Sequence, residues 1–173
     1  AFILSISIFP LYLFANASDY RRERIETFLT GKCQDGVDLL GDCFQLNQSW
    51  IAISSGGLTG LGPGTSRARW GMLPNAYTDF IVSITGEEYG FIGILVLTII
   101  FLILIVSFYG MALTTNDNFK KLLLAGIATW VGIQTILNLG GAVGLLPITG
   151  IVLPFISYGG TAMVSIFIGL SLA

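Results

Sequence analysis

The stretch FIGILVLTIIFLILIVSFYGMAL, residues 91–113, decides the fold: it runs for 23 residues without a charge. As a helix it is about 34 Å long, enough to cross the roughly 30 Å hydrocarbon core of a bilayer. Outward from it, the uncharged region extends over residues 89–116. After a polar turn at 116–121, no Asp, Glu, Lys or Arg occurs between positions 122 and 173. Residues 122–146 read as a second span. PITGIVLPFISYGG, residues 147–160, holds two prolines and three glycines and breaks the helix. A last apolar span starts at about Thr161 and runs to 173. On the N-terminal side, residues 1–14 read as the end of another span, with Pro10 tolerated because membrane helices re-satisfy freed backbone groups.

Composition agrees. The 173 residues are 54% hydrophobic and 10% charged, with mean hydropathy +0.83, against about 25% charged residues in soluble domains. The expectation is an all-α, polytopic helical membrane protein. A net charge of −2 gives no reason to expect a nucleic-acid partner. Histidine is absent, which removes Ser-His-Asp and Cys-His catalysis and most zinc sites, and no metal ligands are assigned. Both termini lie inside apolar runs, so the chain reads as a piece of a longer membrane protein. A secretory leader does not fit, since no basic region precedes the first run.

Residues 15–88 hold most of the charge. SDYRRERIETFLTGK, residues 18–32, spaces Ile25, Phe28 and Leu29 as a short interfacial helix would; a solvated loop is the alternative. QLNQSWIAISSGGLTGL, residues 45–61, is too polar and glycine-rich for a span and reads as an amphipathic or re-entrant piece. The turn at 116–121 carries Lys120 and Lys121, whereas 147–160 has no basic residue. The positive-inside rule therefore puts the lysines in the cytoplasm and Asp79, one span earlier, outside. If 45–61 does not span, residues 15–88 form one external loop, long enough to need structure of its own.

Within that region RARWGMLPNAYTDFIVSITGEEYG, residues 67–90, places Asp79, Glu87 and Glu88 at the mouth of the clearest span. Ionisable groups near a bilayer mark functional sites. Asp79 has three readings: a cap for the following helix, a role Thr78 could also fill; a cation ligand, alone or with Glu87 or Glu88; or a general base. The residues alone favour the cap. Arg67 and Arg69 suit anionic oxygens such as pyrophosphate, with headgroup anchoring equally open. GGLTGLGPGTSR, residues 56–67, lacks the Gly-Lys-Ser/Thr ending of a phosphate-binding loop, so its glycines are read as sites of close packing and tight turns. The sequons at Asn16 and Asn47 carry little weight.

Residues 45–93 and 138–161, with LP-x-A-x-TDF, GEE-x-G and LPFISYGG among them, resemble the SEDS family (shape, elongation, division and sporulation). The resemblance runs from about Tyr20 to the C-terminus. It implies a ten-span helical protein of which this chain is a C-terminal part, with one large external loop at 15–88. Cys33 and Cys43 would then lie outside, where a disulfide can form. It further implies a peptidoglycan glycosyltransferase that polymerises lipid II on the outer face of the cell membrane during division, alongside a class B penicillin-binding protein and other division proteins. The aspartate of TDF, here Asp79, would be catalytic. Arg67, Arg69, Glu87, Glu88 and Ser157 are the substrate-binding candidates, with a divalent cation as an open question. Where family members often carry Glu and His, this chain has Asn75 and Tyr77. Ser54–Ser55 and Ser157–Tyr158 are candidates to line a lipid-sugar groove, with helix packing as the alternative. A lipid II flippase and a division scaffold are the competing functions.

Overall fold

The computed structural model describes residues 27–30, 33, 43–71 and 73–172. It comprises two units, Ala1–Asn47 and Gln48–Ala173. The proposed span at 1–14 and most of the basic segment at 18–32 lie outside the described residues. In the first unit a helical turn at 27–29 is closed by the Thr30 hydroxyl donating to the Thr27 carbonyl at 3.3 Å. Cys33 and Cys43 form a disulfide, settling a pairing that spacing leaves open.

The described residues are helical, with no strand among them. Four α-helices follow one another: α1 (Phe44–Gly56), α2 (Ile81–Thr114), α3 (Asn118–Val143) and α4 (Gly160–Ser171), with a 3₁₀ turn at Ala68–Trp70. α1 has 13 residues, about 20 Å, which is too short to cross a bilayer. α2 and α3 are long and apolar enough to do so. They form an antiparallel hairpin. Asp117 caps α3, its side chain accepting from the Phe119 N–H at 2.9 Å. Because the cap sets this boundary, α3 takes in Lys120 and Lys121, which hydropathy assigns to the turn. It also ends at Val143, short of the expected 146, because Gly144 is left-handed at φ 79°.

The helices meet along one stripe each. Leu97, Phe101 and Phe108 of α2 share a cluster with Ile127, Ala128 and Val131 of α3, spacings of three, four and seven that keep a helix on one face. The opposite face of α2, including Leu95, Ile99, Leu102, Ile103 and Val106, is exposed, as suits lipid contact. Lipid is as apolar as leucine, so these stripes hold by close packing and a few polar contacts rather than by the hydrophobic effect. One such contact is Tyr109 Oη to Thr129 Oγ1 at 2.7 Å.

α2 is broken at Gly90, where φ is 67° and ψ −163°. In an unbroken helix the N–H groups of Phe91 and Ile92 would bond to the carbonyls of Glu87 and Glu88. The glycine-rich loop after α1 supplies partners for all four. Phe91 and Ile92 donate to the Gly57 and Leu58 carbonyls at 2.9 and 3.2 Å, and the Glu87 and Glu88 carbonyls accept from Leu61 and Gly62 at 3.0 Å each. In a bilayer each such group left bare costs several kcal/mol. The insertion requires bare backbone: a Cβ on Gly60 would lie 2.1 Å from the Glu88 oxygen, and one on Gly90 would lie 2.4 Å from the Leu58 oxygen. Of the 56–67 glycines, Gly56 and Gly60 are thus packing elements, and Gly57, Gly62 and Gly64 serve turns at positive φ.

Gly90→Ala adds that clash to a backbone conformation worth roughly 1–3 kcal/mol of strain in a non-glycine residue. It is expected to lower the thermal unfolding midpoint of the detergent-solubilised protein clearly. Gly110→Ala, whose added Cβ meets nothing within 4 Å, is expected to leave the midpoint unchanged or raise it slightly.

Candidate functional site

The end of α3 sets the site's position. An α-helix leaves its last four carbonyls without helical partners, and here each finds one. Leu145 N–H donates to Gly140 at 2.8 Å and Gly144 N–H to Gly141 at 3.3 Å, the paired bonds of a Schellman turn. From α1, the Ser49 hydroxyl donates to Ala142 at 2.6 Å and the Trp50 indole to Val143 at 3.0 Å. Ser49 has only one proton, so Ser83 of α2 is the donor in the buried 2.6 Å hydroxyl pair that joins them. α1, the start of α2 and the end of α3 are therefore held together at one level.

Asp79 sits at this level, immediately before α2. The turn containing it is closed by its own N–H and that of Thr78, both donating to Asn75 (3.0 and 3.1 Å), and Tyr158 N–H donates to Tyr77 at 3.0 Å. Asn138 of α3 donates through Nδ2 to the Asp79 carbonyl at 2.9 Å and to the Ile151 carbonyl at 2.7 Å. The Asp79 backbone is thus gripped by α3 and by the loop that precedes α4. Its side chain is half-buried and faces Gly150, where an added Cβ would lie 3.6 Å from Oδ2. A small cavity of about 10 Å³ lies between Asp79, Asn138, Gly141 and residues 148–151.

The capping reading of Asp79 fails. Phe80 occupies the N-cap position of α2 without any side-chain cap, and the Thr78 hydroxyl donates to Asn75 instead. Among the described residues the Asp79 carboxylate accepts no hydrogen bond, which leaves its oxygens free for a ligand.

The other candidates lie in different surroundings. Glu87 is buried, with both oxygens occupied: Oε2 accepts from the Ser66 hydroxyl (2.6 Å) and Ala68 N–H (3.1 Å), and Oε1 from Arg67 N–H (3.1 Å). It closes the 66–70 loop and sits at the start of the 3₁₀ turn. Glu88 is buried with Oε1 unpartnered. Arg67 and Arg69 are exposed. Arg67 lines a cavity of about 260 Å³ with Gln48, Ser55, Leu61 and Glu87, not the one at Asp79. The Arg69 carbonyl accepts from the Tyr77 hydroxyl at 3.1 Å. Ser157 is buried, its hydroxyl accepting from Leu153 N–H at 2.9 Å. Beside it Tyr77, Ile81, Tyr158 and Met163 line an open groove of about 520 Å³. Ser54 and Ser55 bond back to Ile51 and Ala52 within α1. Among the described residues no three Asp, Glu, Cys or His side chains gather as a metal site. Asn138 escaped the reading of the sequence; its signal was a primary amide, one of two with Gln134, inside a span free of charge beyond position 121.

The family described as cell cycle protein, that of FtsW, RodA and SpoVE, matches residues 1–173. The chain is 42% identical over 154 residues to the probable peptidoglycan glycosyltransferase FtsW of Geobacter metallireducens, covering 89% of this chain and 40% of that protein. It is 40% identical over 147 residues to stage V sporulation protein E of Bacillus subtilis, covering 85% and 39%. Among solved structures it resembles a chain of a peptidoglycan synthase complex that coordinates polymerisation and crosslinking, at TM-score 0.65 and 29% identity over 99% of this chain and 45% of that one. An aspartate-to-alanine mutant of the rod shape determining protein RodA from Thermus thermophilus aligns at TM-score 0.53 and 33% identity, over 78% and 40%. The chain belongs to this family of helical membrane proteins. It spans about 40% of the length of the curated relatives it matches.

Glu87→Ala would leave three donors of the 66–70 loop unpaired, each hydrogen bond to a charged acceptor being worth about 1.5–3 kcal/mol. Hydrogen exchange of the Arg67 and Ala68 amides is expected to quicken by at least about tenfold, with the amides of α3 unaffected.

Proposed function

We propose that this protein is a peptidoglycan glycosyltransferase that polymerises lipid II into glycan strands during cell division, working with a class B penicillin-binding protein at the outer face of the cytoplasmic membrane. The observation that carries the reading is Asp79: a carboxylate with no hydrogen-bond donor on it among the described residues, half-buried, on a backbone fixed by α3 and the loop before α4. Such a group is open to a substrate hydroxyl. Its carboxylate removes the proton of the acceptor sugar's hydroxyl as that oxygen bonds to the donor's anomeric carbon, and the lipid pyrophosphate leaves with the electron pair of the broken bond. The open groove of about 520 Å³ beside Tyr77 and Tyr158 is the space offered to the lipid-linked sugar. Arg67 and Arg69, exposed on the loop before Asp79, are the cations available to a pyrophosphate. The relatives' names support the reaction, and the similar synthase complex supports the partner.

The outer-face placement draws on two supports. Lys120 and Lys121 lie at the far end of α2 from Asp79, and basic turns stay in the cytoplasm. The Cys33–Cys43 disulfide belongs to an oxidising compartment. The transport reading draws on the break at Gly90 and the irregular segment before α4. Against it, all four backbone groups freed at the break are already bonded, as suits a fixed element better than a moving one.

In the full-length protein with its partner, Asp79→Asn keeps the size of the side chain and removes its basicity. Polymerisation of labelled lipid II is expected to fall by at least about 100-fold with insertion and partner binding intact. Near-normal polymerisation would overturn the general base. For topology, an impermeant maleimide on intact cells should label neither Cys33 nor Cys43 until an impermeant reductant is added, and then both. Labelling that needs lysis would place this segment inside.

A further inference from the structure

We propose that Asn138 is the positioning residue of the site: one amide group fixes both the backbone of Asp79 and the wall that its carboxylate faces. The proposal rests on the general-base reading of Asp79. Asn138 lies 4% exposed on the same α3 stripe as Val131 and Thr135, and Thr135 shows how a polar side chain there satisfies itself. Its hydroxyl donates to Val131 at 2.8 Å, within its own helix. Asn138 does the opposite. Both of its recorded bonds leave the helix, one to Asp79 and one to Ile151, residues 59 and 13 positions away. Both partners are carbonyl oxygens, so only the NH₂ end of the amide can serve them.

The two carbonyls belong to the two sides of the cavity. One is that of Asp79 itself. The other follows Gly150, where an added Cβ would lie 3.6 Å from Asp79 Oδ2. Two carbonyl dipoles aimed at one point repel unless a donor stands between them, and Asn138 supplies both donors. Without it, Asp79 and the 149–151 segment would lose the link that sets their separation. The amide's other polar atom, Oδ1, is buried without a partner, a cost that an apolar residue at this position would not incur. Buried unsatisfied atoms in a packed structure call for a reason. Here it is that the amide's geometry is set by its two donor bonds, while its acceptor is left beside a space about the size of one water.

The test uses the full-length protein with its penicillin-binding partner and labelled lipid II. Asn138→Leu keeps the volume and removes both donors. The expected result is a kcat lowered by about 10- to 100-fold, the scale of a displaced catalytic group, with KM for lipid II within about twofold of wild type. Asn138→Ser, whose shorter hydroxyl is drawn to its own helix as that of Thr135 is, also withdraws both donors and is expected to lower kcat to a similar degree. Thr135→Val, which removes a buried hydroxyl one turn earlier on the same stripe, should leave kcat within about twofold. A folded Asn138→Leu with wild-type kcat, or one whose only change is a raised KM, overturns the proposal. If Asn138→Leu does not insert, full activity in Asn138→Ser overturns it. An active Asp79→Asn would remove the general base, and this proposal with it. An inactive Asp79→Asn beside a fully active Asn138→Leu would remove the positioning role alone.

Discussion

The structure depends on the repair of one interrupted helix. At Gly90 the ladder of α2 loses two bonds and exposes four backbone groups at the edge of an apolar span, where water cannot be relied on to take them. The loop at 57–62 takes all four. Several otherwise unrelated features follow. The loop must be rich in glycine, because at Gly60 the backbones approach more closely than a Cβ allows and at Gly57 and Gly62 φ is positive. α1 must end where it does, so that its following residues reach the break. Glu87, just before the break, is buried against the 66–70 loop and there finds its three donors.

A second constraint of the same kind operates at the end of α3. Its four terminal carbonyls are satisfied by its own Schellman turn and by Ser49 and Trp50 of α1. Two problems of backbone satisfaction are thus solved by one short helix and the loop that follows it. The by-product is a rigid frame around Asp79. For the general base proposed above such a frame would have a chemical use: a base acts well only when it is held at the right distance from the proton it removes, and holding it beforehand lowers the entropic part of the barrier. It also accounts for the division of labour among the three carboxylates. Glu87 is consumed by structure, Glu88 is enclosed, and Asp79 alone combines partial exposure with oxygens that no described group occupies.

The sequence by itself determined the class of protein and the two long spans, and it singled out Asp79 as a candidate. These rest on local properties. A run of uncharged residues longer than a bilayer is thick has few other stable environments, and an aspartate at its mouth is conspicuous. The break at Gly90 was not read from the sequence, which starts the span at Phe91 whereas α2 starts at Ile81. The ends of α3 were read less well, because hydropathy reports lipid contact whereas Asp117 and Gly144 end the helix through a side-chain bond and a left-handed backbone. Only the tertiary structure decided what each polar group is for. Whether Asp79 caps a helix or stands free, whether Glu87 meets a ligand or a loop, and whether Cys33 meets Cys43 all depend on the folded backbone, with partners 10 residues off for Cys33 and 19 to 21 for Glu87. Asn138 is the clearest case: its two donor bonds join residues 59 and 13 positions off. A hydrogen bond needs both partners at the right distance and angle, and spacing along a chain does not fix where two distant backbones will meet.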